Sequence, residues 1–179
     1  MFTPGFPEDG FSVAAWNGRD GPYSLAFFAS VGGTGQEWRA FPNSVDIPLP
    51  RRSPDNADLL NFAVMRKAFL SVISAWEPDC GNLCPWGYEK RWADDTGWYP
   101  NFCSGWMSYV SGQYAGLITP PHAGIVEQVP GGGLLMAATK EPFAIGNAAH
   151  EAGADAIQAA LAPIQDLVRP PREFKRPKL

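Results

Sequence analysis

One stretch of this chain reads as a single long helix, and it constrains everything around it. Ser53 is placed to cap it, Pro54 suits its first helical position and Asp55 its first turn. Apolar residues then recur at helical spacing through Leu59, Leu60, Phe62, Ala63, Met65, Phe69, Leu70, Val72, Ile73 and Trp76, stopping before Pro78. A stripe this broad must be covered by something. The cover is not a set of further long helices, because 19 Gly and 18 Pro in 179 residues break the chain too often for a simple bundle. A sheet is the remaining partner for the stripe.

Strand signals fit that demand. Residues 11–16 alternate weakly, and Asn17-Gly18-Arg19-Asp20-Gly21-Pro22 follows as a turn cluster. Residues 23–31 suit either a helix started by Pro22 or a strand through Phe27 and Phe28, and Pro22 favours the helix. Residues 43–52, with Pro48 and Pro50 inside and Pro42 just before, read as an extended surface segment. Residues 77–104 are the least regular. Strands are expected again within 103–111, 123–129 and 133–139, the last two joined by a Pro130-Gly131-Gly132 turn. A final helix starts at Asn147 and puts Ile157, Ala160, Leu161 and Ile164 on one face, with a kink or restart expected at Pro163. The pattern predicts an α+β domain over residues 1–168. Its core is a mainly antiparallel sheet of about four to six strands with helices on one face. Residues 169–179 read as a basic, proline-rich flexible tail that is dispensable for folding.

Charge narrows the function. The net charge is −4, but the tail carries five bases and one acid, leaving 9 bases and 17 acids, a net −8, in residues 1–168. Such a body repels phosphate backbones, so direct nucleic-acid binding is not expected, while a basic protein partner is electrostatically suited. No run of 18 apolar residues suggests a membrane span, and the first residues lack the basic and apolar regions of a secretory signal. A cytoplasmic protein with three reduced thiols is the expectation.

Catalytic signatures are weak. Cys80, Cys84, Cys103 and His122 are zinc-type ligands, but 18 residues separate Cys84 from Cys103 and Cys103 from His122, and the short knuckle is missing. A thiol paired with His122 or His150 has no nucleophile elbow beside it. His150-Glu151 is followed by Ala154 where a zinc-protease helix needs His, and Gly131-Gly132-Gly133 runs into Leu134 rather than Lys and Ser or Thr. The acids Glu77, Asp79, Glu89, Asp94 and Asp95 lie on irregular sequence that defines no acid–base pair. The expectation is a protein with no catalytic centre, metal or cofactor.

The same irregular segment suggests binding instead. Trp86, Tyr88, Trp92, Trp98 and Tyr99 interleave with Glu89, Asp94 and Asp95. Aromatic anchors in an acidic setting suit a protein interface, led by Trp86, Trp92 and Trp98 with Tyr88 and Glu89 beside them. Lids over the core are the competing reading of the same aromatics.

Four local patterns occur in order along the chain: Trp16-Asn17-Gly18-Arg19, Trp76-Glu77-Pro78-Asp79-Cys80-Gly81, Gly105-Trp106-Met107-Ser108-Tyr109-Val110-Ser111 and Phe143-Ala144-Ile145-Gly146-Asn147-Ala148-Ala149-His150. Together, over roughly residues 10–166, they resemble the immunity protein 52 family of bacterial polymorphic toxin systems. One position departs: Cys80 stands where the family pattern carries Trp, which argues against a shared catalytic or metal role for that thiol. The resemblance implies a non-enzymatic antitoxin. Its partner would be a nuclease toxin of restriction-endonuclease fold, often delivered by type VI secretion. An adaptor or chaperone for a secreted effector shares the acidic character, and a small metal- or Cys-dependent enzyme is the third alternative.

Overall fold

A computed structural model describes residues 11–31, 43–50, 52–95, 97, 99–122 and 124–165. The basic tail expected at 169–179 lies outside these residues.

The strands are β1 (Phe11–Trp16), β2 (Ala26–Val31), β3 (Ser44–Leu49), β4 (Cys80–Pro85), β5 (Met107–Val110), β6 (Ile125–Gln128) and β7 (Leu134–Ala137). They form one seven-stranded sheet in the order β1-β2-β3-β4-β5-β7-β6. Every pairing is antiparallel except β3 with β4. That parallel pair is joined by the long helix α1 (Phe62–Trp76), because parallel neighbours need a crossover rather than a tight turn. The short α2 (Gly112–Ala115) leaves β5, and α3 (Ala148–Gln165) closes the described chain. The α+β class and the mainly antiparallel sheet therefore hold, as does the 123–139 hairpin. Its turn has Gly131 at φ 87° and Gly132 at φ 81°, conformations that favour glycine.

The predicted long helix begins later than its Ser53 cap. Pro54–Asn56 is a 3₁₀ turn, in which the Asn56 side chain accepts from the Ser53 N–H at 2.7 Å and donates to the Pro22 carbonyl at 2.7 Å. Asn61 is the true cap of α1, accepting from the Val64 N–H at 3.0 Å. The helix ends at Glu77, whose N–H reaches the Ile73 carbonyl at 2.8 Å with φ +45°. Pro78 prevents continuation. Left-handed backbone strains any residue with a Cβ, so Glu77→Gly is expected to stabilise the fold by about 0.5–1 kcal/mol, read from the urea midpoint.

Three segments depart from the sequence reading. Residues 26–31 form strand β2 rather than a helix. Phe27 and Phe28 thereby point to opposite faces, and Phe27 packs on Trp76 of α1 with ring centres 6.0 Å apart. Pro22 starts only the 3₁₀ turn Gly21–Tyr23. Residues 44–49 are an interior strand, not a surface segment, with Val45, Ile47 and Leu49 buried. β2 pairs with β3 only as far as Asp46, so Pro48 lies where that side of β3 has no ladder partner, and its missing N–H is tolerated. Residues 80–85, inside the supposedly irregular stretch, are the central strand β4 and are almost wholly buried.

The helices also do not share a face. A Cβ on Gly81 would lie 2.9 Å from Val45 and 3.0 Å from the Phe69 ring, so Val45, Gly81 and their row neighbours face α1. Cys80 points the other way, its thiol towards the Asn101 carbonyl at 3.7 Å. The loop that contains Asn101 is held by α3, so α3 covers the second face and the expectation of helices on one face is met by α1 alone. No helix among the described residues is long and apolar enough to cross a membrane.

Candidate partner-binding surface

The strand register defines two rows of side chains across the sheet. On the α1 face the row runs Val13, Ala29, Val45, Gly81, Tyr109, Leu135 and Glu127. It is buried from Ala29 to Leu135, with Val13 and Glu127 half-buried at the two edges. Glu127 is held there by an ion pair with Arg66 of α1. On the second face the row runs Ala14, Phe28, Asp46, Asn82, Ser108, Met136 and Val126. Here Ala14, Phe28 and Asp46 are exposed, whereas Asn82, Ser108 and Met136 are buried. The cover on this face therefore stops between β3 and β4 and leaves a step there. Strands β1–β3 form an open shelf beside it.

The step is built by the described residues of 86–95 and 99–105 and locked by α3. The Gln158 side chain accepts from the Ser104 N–H at 2.8 Å and donates to the Phe102 carbonyl at 3.2 Å. Ser104 Oγ donates to the Ala154 carbonyl at 2.8 Å. Arg91 reaches both oxygens of Asp155, at 2.8 and 2.9 Å, and Glu151 at 3.0 Å. Its guanidinium also lies 5.4 Å from the Trp92 ring centre and 5.9 Å from that of Tyr88. Asn147 caps α3 through the N–H groups of Ala149 and His150. The buried His150 accepts the Ala144 N–H at its Nδ1.

The predicted binding residues divide accordingly. Trp86 is 69% exposed at the end of β4, its N–H bonded to the Leu49 carbonyl of β3. Glu89 is half-buried nearby, and Asp94 and Asp95 are exposed. Tyr88 is buried against Phe143, and burial pushes its hydroxyl up to about 12. Trp92 is half-buried, donating its indole N–H to the Ser104 carbonyl at 2.9 Å. Trp98 lies outside the described residues. The sequence reading missed Trp16, Phe28 and Asp46. Only the register places them on one face; their aromatic and acidic character was legible, their exposure was not.

The catalytic alternatives are not assembled. Cys80 and Cys84 are buried, Cys103 is half-buried and His122 is exposed. Burial first, then neighbouring carboxylates, raise all three thiols, Cys103 to about 12, which disfavours the nucleophilic or ligating thiolate. Among the described residues no group of His, Cys, Asp and Glu is arranged to hold a metal. Asp79, one of the candidate acids, instead ties strand ends together by accepting from Asn43 at 2.8 Å and from Gln113 at 2.5 Å.

The family model for immunity protein 52 matches residues 6–170. The chain belongs to the immunity protein 52 family. Membership gives it an immunity role and implies a toxin partner. A search of curated proteins finds no match. For an immunity protein the surface that matters is the one that meets the toxin, and the step between shelf and cover is where charge is least relaxed. Lost hydration of the carboxyl, then the Glu89 carboxylate, push Asp46 up to about 6, although the residue as a whole is still partly exposed. A raised carboxyl binds its proton more readily folded than unfolded, so this group's contribution to folding is fully present below its ordinary value of 3.8 and is lost as pH rises through about 6. Asp46→Asn is expected to stabilise the protein at pH 7, by about 1 kcal/mol or less because solvent screens the site, and to change nothing at pH 4. Thermal unfolding at the two pH values checks this.

Proposed function

We propose that this immunity protein binds a cognate nuclease toxin in the cytoplasm of the producing cell and occludes the toxin's basic active-site groove. The observation that carries the reading is family membership over residues 6–170 combined with the net −8 charge of residues 1–168. A nuclease holds a polyanion, so its groove is basic, and an acidic protein is drawn to it over long range. Type VI delivery and a restriction-endonuclease fold for the toxin belong to the same proposal. Protection of the producing cell calls for tight binding, and a Kd of about 1 nM corresponds to about −12 kcal/mol. The test is co-expression with the protein encoded beside it, reading survival, a pull-down and nuclease activity in vitro. Binding with protection and loss of nuclease activity supports the proposal. Binding without inhibition would favour an adaptor or chaperone instead.

Trp86, Glu89, Asp94 and Asp95 are proposed as contacts to the toxin, with Tyr88, Trp92 and Trp98 as the other candidates of the segment. Trp86→Ala is expected to cost at least about 2 kcal/mol of binding, roughly thirtyfold in Kd, with the unfolding midpoint unchanged. The double change Asp94→Lys, Asp95→Lys is expected mainly to slow association and flatten its dependence on salt. Trp92→Ala removes an indole that bridges to Ser104 and packs edge-on to Tyr88 at 6.3 Å, so stability falls before affinity does. Parallel measurements of unfolding and affinity separate these outcomes.

A further inference from the structure

We propose that the open shelf of β1–β3, with Trp16 and Phe28 around Asp46 and with Trp86 and Glu89 at its wall, is the surface on which the toxin docks, through a basic side chain set in an apolar rim. This rests on the immunity reading and deepens it by moving the centre of the interface from the 86–99 segment to the sheet.

Three observations converge on this surface. The first is apolar area left open: Trp16 is 56% exposed and Phe28 42% exposed, and Trp86, just past the end of β4, is 69% exposed. Trp16 pairs with Ala26 and Phe28 with Ala14, which makes the two aromatics diagonal neighbours on one face. On the second face Asn82, Ser108 and Met136 of β4, β5 and β7 lie under cover, whereas Trp16 of β1 and Phe28 of β2 do not.

The second is that the exposed indole is deliberately held. Trp16 Nε1 donates to the Arg19 carbonyl at 2.8 Å. Asn17 ties the same turn from both ends: its amide donates to the Tyr23 carbonyl at 2.7 Å, and its oxygen accepts from Arg19 at 3.2 Å and Leu25 at 3.1 Å. Gly18 supplies the left-handed position, at φ +73°. The Trp16-Asn17-Gly18-Arg19 pattern is therefore a bracket that fixes a large aromatic in solvent. Fixing the rotamer in advance removes part of the entropy cost of docking on it.

The third is charge. Asp46 and Glu89 repel one another at the step, and among the described residues neither meets a cation within ion-pair distance. A Lys or Arg of the partner placed between them relieves that repulsion, and the flanking aromatics accept its aliphatic stem and its charge. A second copy of this acidic chain would bring carboxylates against carboxylates, and a nucleic acid would bring phosphates, so a basic protein surface is the occupant that fits.

The experiment uses the full chain and the product of the neighbouring gene, made with its nuclease centre inactivated. Affinity, association rate and unfolding midpoint are measured for wild type, Trp16→Ala, Trp16→Phe, Phe28→Ala, Asp46→Lys and the distant control Val126→Ala. The expected result is a Kd weakened at least tenfold by Trp16→Ala and by Phe28→Ala, with unchanged unfolding. Trp16→Phe should restore part of the affinity, Asp46→Lys should slow association, and Val126→Ala should bind as wild type. If folded shelf variants bind like wild type, the shelf is not the docking surface and the immunity reading stands. If the wild-type chain does not bind, the immunity reading falls and takes the shelf with it. A dimer seen by sedimentation and abolished by Trp16→Ala would assign the shelf to a second copy of this chain and overturn the proposal.

Discussion

Phe69→Ala is expected to lower stability by about 3–5 kcal/mol, the range for emptying a fully buried aromatic site. Phe69 is wholly buried, and its ring lies over the bare backbone of Gly81 on the central strand. The cavity left behind has little means of closing. Its floor is β4, hydrogen-bonded to β3 on one side and to β5 on the other, and its walls are the buried Val45 and Leu83. Gly81→Ala alone presses a methyl against Val45 and the Phe69 ring and is expected to cost about 1–3 kcal/mol. In the Phe69→Ala background the contact with the ring is gone and only Val45 still presses on the methyl, so the double variant should be more stable than the sum of the two losses predicts. Urea unfolding of the four proteins gives the coupling directly. A loss below about 1 kcal/mol for Phe69→Ala, or strict additivity, would mean that α1 does not press on Gly81 as described.

That contact shows why some of the fold was legible in the sequence and some was not. Helix α1 announces itself because Met65, Phe69 and Ile73 repeat every four residues, and α3 because Ile157, Leu161 and Ile164 follow Asn147. The β6–β7 hairpin is marked by Gly131 and Gly132, which local backbone geometry demands. Strand β4 carries no such signal. Cys80-Gly81-Asn82-Leu83-Cys84-Pro85 is poor in β-formers, and Gly81 is there because Phe69 needs the space. Tertiary contact overrides propensity at that point. Pro48 misled for a similar reason: a proline looks like a surface residue until β2 is known to end its pairing at Asp46. The candidate surface was half legible. Trp86, Glu89, Asp94 and Asp95 stand together in sequence, whereas Trp16, Phe28 and Asp46 come from three strands, and register alone sets them side by side.

The tryptophans test that distinction most sharply, because sequence alone does not sort anchors from core. Trp106→Ala is expected to cost about 3–5 kcal/mol of stability. Its side chain is 1% exposed, its ring centre lies 6.5 Å from that of Phe62 at the start of α1, and its indole N–H donates to the Thr139 carbonyl at 3.0 Å. The substitution therefore empties a large volume and leaves a carbonyl without its donor. Trp106→Phe keeps most of the volume and loses the hydrogen bond, so a smaller loss, about 1–2 kcal/mol, is expected. Trp86→Ala should leave the unfolding midpoint where it was. In cells both Trp106→Ala and Trp86→Ala are expected to weaken protection, but by different routes. The first lowers the amount of folded protein, and the fraction that remains folded binds normally. The second leaves the amount unchanged and lowers affinity. Quantifying soluble protein beside toxin affinity for the two variants separates them, and a Trp106→Ala protein that is as stable as wild type would overturn the assignment of this indole to the core.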